Sequence, residues 1–172
     1  MSKENIKITV ILDSKITNSQ REAIKKLQKE CFGHVPEKEI KEHFFPKGFA
    51  WVLAYYQNEL VGILELHKRR RVFDKSKFLL GGVAGVCVSK RMRKRGIGSA
   101  LVKKGLQVLK DVGCDVVCMT VDLINPMYEF YKKLRFKMME REISFNDIHG
   151  KRIYEKGTCL SPLIRKKSII KL

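Results

Sequence analysis

Between residues 89 and 105 the chain reads SKRMRKRGIGSALVKKG, where arginine and lysine meet two glycines at the start of an apolar-periodic segment. Gly96 and Gly98 fall where a strand gives way to a helix. There the first-turn amides have no carbonyl partner within the helix, and glycine removes the side chains that would keep an anion away from them. The helix dipole and the charges of Arg93, Lys94 and Arg95 add to the attraction, so the turn suits a phosphate or diphosphate. The pattern Arg93-x-x-Gly96-x-Gly98 is neither the G-x-G-x-x-G of a dinucleotide site nor a loop ending in G-K-[ST]. Taken alone, it reads equally as a capped helix with a wet basic face.

Other residues bear acid–base chemistry. Glu65 and His67 lie on the same side of a regular strand, and Asp122 ends a strand shortly before a helix that carries Tyr131. A carboxylate in such a place can hold a cationic amine or relay its proton through water. Each also reads as part of a solvated sheet edge or turn, and His67 as a polar surface residue or a satisfied core one. Cys31, Cys87, Cys114, Cys118 and Cys159 form no C-x-x-C pair. Cys87, Cys114 and Cys118 sit in or beside apolar runs and read as buried free thiols rather than metal ligands, Cys87 is not expected to be a covalent nucleophile, and no metal is expected.

The elements that must position these groups follow from periodicity and punctuation. IKITVILD (6–13) alternates as a strand. A helix follows, with Ser19 and Glu22 at capping-box spacing, Ile24, Leu27 and Cys31 on one face, and Gly33 as its stop. Residues 36–48 leave a short helix open, ended by Pro46 and Gly48. FAWVLAYY and LVGILELH, separated by QNE, make a tight antiparallel hairpin. The basic stretch 68–77 reads as a loop or a widened hairpin end. LLGGVAGVCV (79–88) is a glycine-rich strand, 97–113 a helix, and 115–122 a strand. Asn125 and Pro126 open a further helix to 134, and KMMEREISF (137–145) with RIYEKGTCL (152–160) form a hairpin.

At 172 residues with 44% hydrophobic content, one packed domain is the default. Lys and Arg number 36 against 18 Asp and Glu, a formal charge of +18, which favours anionic partners without choosing among a polyphosphate cofactor, nucleic acid and an acidic membrane. No stretch has the length of a membrane span and none resembles a secretory signal, so a cytoplasmic location is expected.

The Arg93, Gly96, Gly98 turn between strand and helix resembles the pyrophosphate loop of the GNAT acyltransferase superfamily, Q/R-x-x-G-x-G/A. NPMYEFYKKLRF resembles a second GNAT segment, with Asn125, Phe130, Tyr131 and Phe136 at its recognisable positions; Tyr128 replaces a usual small residue and Arg135 a usual glycine. The resemblance implies one α/β domain over residues 1–172, a mixed and largely antiparallel sheet flanked by helices, with a basic tail from about residue 161. It also implies acetyl-coenzyme A as donor and coenzyme A as product. The diphosphate would lie at the amides from Arg93 through Lys94, Arg95, Gly96, Ile97 and Gly98 to Ser99, with Asn125 also in the cofactor site. Val86 would offer a carbonyl to pantetheine, an amide near Val88 would polarise the thioester carbonyl, and Tyr131 would protonate the departing thiolate. Within the superfamily, Gly82 to Val88 is similar to the Y-V-E-G-V-A-V segment of the aminoglycoside 2'-N-acetyltransferase branch, but Ala84 stands where those enzymes have a glutamate. Glu65 or Asp122 would then have to supply the base.

The function so implied is transfer of an acetyl group from acetyl-coenzyme A to a primary amine of a small molecule or peptide. Two other readings stand beside it: a basic nucleic-acid-associated module, and an acyl-coenzyme A sensor without turnover.

Overall fold

The computed structural model describes residues 5–33, 47–73, 75–121, 127–138, 143–146, 150–155 and 158–160. In chain order the elements are β1 (Lys7–Leu12), α1 (Asn18–Phe32), β2 (Ala50–Tyr56), β3 (Glu59–Phe73), β4 (Ser76–Val88), α2 (Ile97–Asp111), β5 (Val116–Thr120), α3 (Met127–Lys133), β6 (Lys137–Met138), β7 (Ile143–Asn146), β8 (Arg152–Glu155) and β9 (Thr158–Leu160). Seven strands pair in the order β1-β2-β3-β4-β5-β9-β6, and β7 pairs with β8 in a two-stranded sheet. The β1–β2, β2–β3, β5–β9 and β6–β9 ladders are antiparallel and β4–β5 is parallel. This is the mixed, largely antiparallel α/β fold expected from the sequence. The chain forms two compact units, one from the described parts of Met1–Pro36, Lys47–His67 and Val83–Val108, the other from those of Glu37–Pro46, Lys68–Gly82 and Leu109–Leu172.

In the first unit, Ile24 and Leu27 of α1 pack with Ile16, Trp51, Leu53, Ile63 and Cys87, and Cys31 packs against this cluster. The spacing of Ile24, Leu27 and Cys31 brings one face of the helix down onto the strands, as the pattern predicted. Burying each large aliphatic side chain here is worth about 1.5–3 kcal/mol. The helix starts earlier than expected. Thr17, not Ser19, is its cap: Gln20 N–H donates to Thr17 Oγ1 at 3.3 Å, and the Thr17 amide donates to Gln20 Oε1 at 3.0 Å. Thr17 and Gln20 have the same spacing as Ser19 and Glu22, and the register follows the buried face. Glu22 instead pairs with Lys25 at 2.8 Å. Gly33 stops the helix at φ 79°, its amide donating to Lys29 O at 3.0 Å. The β2–β3 turn is only Gln57 and Asn58, both at positive φ, as a two-residue hairpin turn with right-handed twist requires; Glu59 already belongs to β3. Helix α2 lies close to this sheet because two residues lack side chains. A Cβ on Gly62 would stand 3.0 Å from Leu101 Cδ1, and one on Gly105 3.0 Å from Leu64 Cδ2.

In the second unit, Cys114, Val117 and Phe136 are fully buried. The end of α2 closes in a Schellman arrangement, with Gly113 N–H on Lys110 O and Cys114 N–H on Leu109 O. Asp115 and Leu79 exchange two bonds, Asp115 N–H to Leu79 O and Leu79 N–H to Asp115 Oδ2, each 2.8 Å. Of the two expectations for 68–77, a loop or a widened hairpin end, the loop does not form: β3 runs to Phe73 and its neighbour β4 begins at Ser76. A run of cations lacks the apolar alternation that marks a strand, but cross-strand pairing needs only the backbone. The expected 137–145 and 152–160 hairpin is likewise divided. β7 pairs with β8, whereas β6 and β9 pair with each other and β9 with β5. The possible helix at 36–48 and the basic tail from about 161 fall outside the described residues, save for residues 47 and 48.

One polar clamp anchors the first unit. The Asp13 carboxylate accepts from Arg21 Nη1 and Nη2, each at 3.2 Å, and from the Trp51 indole at 3.0 Å. The Arg21 bonds first, and the Trp51 bond next, hold its carboxyl below the ordinary value of 3.8. Asp13→Ala leaves the buried indole N–H without its acceptor and is expected to cost about 2 kcal/mol in denaturant unfolding. Because the folded pKa is depressed, the contribution of the carboxylate is complete above pH 3.8 and is lost as pH falls through the lower folded value. The stability gap between wild type and Asp13→Asn should therefore close only in that acid range.

Candidate functional site

The glycine-bearing turn is built within the first unit by contacts from both ends. After β4 the chain makes a single 3-10 turn at Lys90–Met92, with Met92 N–H on Ser89 O at 2.9 Å. Ser89 is buried, and its amide donates to Val61 O at 2.9 Å. Glu30 on α1 grips the turn from the side: its Oε1 accepts from Lys90 N–H at 2.7 Å and from Ser89 Oγ at 3.1 Å. The Lys90 amide bond is the main reason that the Glu30 carboxyl lies below its ordinary 4.5. Met92 and Ile97 are buried on either side of the exposed Arg93, Lys94, Arg95 and Gly96. The apolar pair pins the loop while the cations and glycine stay in solvent.

Lys94 and Gly96 both adopt left-handed backbone, φ 62° and 80°. At Gly96 nothing stands within 4 Å of where a Cβ would be, so conformation rather than crowding selects glycine there. Ala100 N–H makes the first helical bond, to Gly96 O at 3.0 Å. The amides of Ile97, Gly98 and Ser99 therefore occupy the first turn, where a helix supplies them no carbonyl partner. The sequence-predicted cluster from Arg93 to Ser99 is one contiguous feature, with a basic rim and a helix start.

Val86 and Val88 lead into this turn, both half-buried. The described β4–β5 ladder covers Leu80 to Gly82. Three residues further along β4, Gly85 turns to φ 57°, a kink of the kind that ends regular pairing. The Val88 carbonyl is occupied: it accepts from Arg93 Nε at 3.1 Å and from Cys31 Sγ at 3.5 Å. Cys87 is buried, its thiol facing Leu27 O at 3.8 Å. Burial above all, and then Cys31, push that thiol's pKa up, which fits packing rather than nucleophilic work.

Glu65 and His67 do come together, with Nε2 3.4 Å from Glu65 Oε2 and both side chains one-fifth exposed. Glu65 Oε1 also accepts from Gly48 N–H at 2.8 Å. The carboxylate is thus held in a fixed orientation. Asp122 and Asn125 lie outside the described residues.

Tyr131, in the second unit, is 5% exposed. Its ring meets Phe130 edge-on at 4.9 Å and Phe136 at 5.8 Å. The helix that bears it ends in a Schellman arrangement, with Phe136 N–H on Tyr131 O at 3.1 Å and Arg135 N–H on Lys132 O at 2.8 Å. Arg135 takes φ 66° there. The turn is therefore the one a glycine would make, and arginine adopts it at a cost of about 1 kcal/mol.

Sequence reasoning missed Glu30 and the role of Cys31. Both sit on α1 nearly sixty residues from the turn they touch, and no local pattern marks such a contact. Among the described residues no group of three His, Cys, Asp or Glu could hold a metal ion, and no helix is long and apolar enough to cross a membrane.

A family model described as the acetyltransferase (GNAT) family matches residues 20–136, a span that takes in most of α1, with β4, the basic turn, α2 and Tyr131. The chain belongs to that family. Its fold is similar to Eis1 from Mycobacterium abscessus, with TM-score 0.61 and 16% identity over 81% of this chain and 33% of that one. It is similar as well to the ribosomal-protein-S18-alanine N-acetyltransferase from Escherichia coli, with TM-score 0.62, 13% identity, and 92% and 95% of the two chains covered. A third is the aminoglycoside acetyltransferase meta-AAC0020 from an uncultured soil metagenomic sample, in complex with sisomicin, with TM-score 0.63, 16% identity, and 81% and 93% covered. The chain spans about a third of Eis1. No curated protein sequence matches it. The three structures name different substrates or none at similar identity, so they show the fold and single out no branch of the family, including the aminoglycoside 2'-N-acetyltransferase branch.

Glu30→Ala is expected to raise hydrogen exchange at the Lys90 amide about tenfold, whereas Glu30→Gln, which keeps an acceptor oxygen, should lose much less. The grip should be complete above pH 4.5 and fail as pH falls below it through the depressed folded value. Unchanged Lys90 protection in the alanine variant would contradict the grip.

Proposed function

We propose that this chain, acting as one acyltransferase domain over residues 1–172, transfers an acetyl group from acetyl-coenzyme A to a primary amine of a small molecule or peptide. The observation that carries the reading is the turn from Arg93 to Ser99. A left-handed Gly96, first-turn amides and three flanking cations fit a diphosphate, in a chain whose family match includes that turn. Acetyl-coenzyme A supplies an activated thioester, open to attack by an uncharged amine.

Each residue then has a defined part. The amides of Ile97, Gly98 and Ser99, with Arg93, Lys94 and Arg95, hold the diphosphate. Val86 and Val88, on β4 past its kink, offer main-chain groups to the pantetheine arm and the thioester carbonyl. With Val88 O already bonded to Arg93 and Cys31, the strand's Val88 contribution falls to its amide. Glu65, fixed by Gly48 and His67, orients the ammonium form of the acceptor and relays its proton through water. Asp122 is the alternative base. Tyr131 returns a proton to the departing sulfur. A thiol titrates near 8.5 and tyrosine near 10, so the transfer needs alignment rather than an acidified phenol. Asn125 completes the cofactor site.

Ala84 favours a second reading, an acyl-coenzyme A sensor, because no carboxylate stands at the position the aminoglycoside branch uses. Acceptor choice follows from charge. A formal charge of +18 repels a polycation such as an aminoglycoside, so a peptide amine is the better acceptor. Cytoplasmic residence suits such a substrate.

The test is incubation with acetyl-coenzyme A and a mixed amine and peptide panel, reading both free thiol and product mass. Acetylated product with stoichiometric thiol is expected; cofactor binding without thiol release would favour the sensor. Gly96→Val should weaken acetyl-coenzyme A binding at least about tenfold, since it forces a β-branched residue into left-handed backbone. Tyr131→Phe should lower kcat about 10- to 100-fold with little change in cofactor affinity. Loss of affinity without loss of kcat in Tyr131→Phe would contradict its role.

A further inference from the structure

The second unit carries a feature that acetyl transfer does not use. Lys68, Arg69, Arg70 and Arg71 on β3, with Lys75 and Lys77 across the short β3–β4 connection, are all exposed. Side chains two apart on a strand share a face and stand ~7 Å apart, so Lys68 with Arg70 and Arg69 with Arg71 make two short rows of positive charge, one on each face of β3. Arg70, Arg71 and Lys77 line a cleft of about 670 Å³ together with Val72, Phe78 and Leu79. The acid among the lining residues, Asp115, has one carboxylate oxygen on the Leu79 amide. Val72 is 64% exposed, an apolar surface set among cations.

We propose that this cleft docks single-stranded nucleic acid, with phosphates on Arg70, Arg71 and Lys77 and a base against Val72 and Phe78. Guanidinium forks match phosphate oxygens in pairs. The apolar surface decides between polyanions: an acidic peptide or a free phosphate would satisfy the cations and leave Val72 and Phe78 bare, whereas an unpaired base has an apolar face to lay on them. A duplex keeps its bases stacked and cannot present one. The chain's charge of +18 draws such a polymer in from solution. An acceptor amine carried by a protein bound to that polymer would then be delivered together with it.

The experiment is fluorescence anisotropy of a labelled oligouridylate of about 15 nucleotides over a range of salt. Arg70→Gln, Arg71→Gln and Lys77→Gln combined should weaken binding about tenfold or more and make the salt slope shallower by about 2, as expected for three lost phosphate contacts. A charge-matched control, Lys25→Gln, Lys26→Gln and Lys103→Gln combined, should change affinity less than about threefold. Both variants should keep the wild-type unfolding temperature and its rise with acetyl-coenzyme A, which separates failure of this proposal from failure of the enzymatic one. In the wild-type protein, photo-crosslinking of a 5-bromouridine oligonucleotide should mark residues 68–82. An equal loss in the control variant would overturn the proposal, as would crosslinks confined elsewhere. So would tighter binding of inorganic polyphosphate, a glutamate-rich peptide or phosphatidylserine vesicles at matched charge.

Discussion

The contact between Glu30 and the start of the β4–α2 turn is the constraint on which the candidate site depends. A loop of consecutive cations repels itself and has no apolar reason to hold one shape. Here a single carboxylate oxygen accepts from Lys90 N–H and Ser89 Oγ, and Met92 and Ile97 are buried at either side. The charge repulsion is thereby confined to side chains in solvent, and the backbone arrives at Gly96 in a fixed register. Helix α2 then begins with its amides and its cations on the same short segment.

The same economy governs the strand leading into the turn. Val88 O receives Arg93 Nε and the Cys31 thiol, so one carbonyl links α1, β4 and the basic rim. Cys87 next to it fills space against α1. Such a strand can be kinked at Gly85 without coming loose, because helix and turn hold its far end. In the second unit the Schellman turn after α3 ties the backbone of Tyr131 to Phe136, and the two rings pack edge to face. Arginine at φ 66° is tolerated there because two backbone bonds and an aromatic contact outweigh its strain of about 1 kcal/mol.

Much of this was legible in the sequence, for physical reasons. Gly96 states a backbone requirement that few residues can meet, a left-handed φ of 80°, and Gly33 announces a helix stop in the same way. The strand and helix order followed from apolar periodicity. What escaped were features settled by distant partners. The Thr17 cap and the Ser19 alternative have the same local spacing, and only packing of Ile24 and Leu27 on the sheet chooses between them. The cationic end of β3 from Lys68 and the start of β4 look like loop because their side chains carry no buried alternation. Glu30 reads as an exposed helical acid until the turn folds back onto it. The intended roles of Asp122 and Asn125 rest on sequence alone.

The most direct measurement is a titration of the nitrogen-15-labelled protein with coenzyme A, followed by amide NMR and compared with pantetheine, which lacks the diphosphate. If the turn is the diphosphate cradle, the amides of Ile97, Gly98 and Ser99 will show the largest shifts with coenzyme A and almost none with pantetheine. Shifts of equal size with both ligands, or shifts that leave those three amides unmoved, would contradict it.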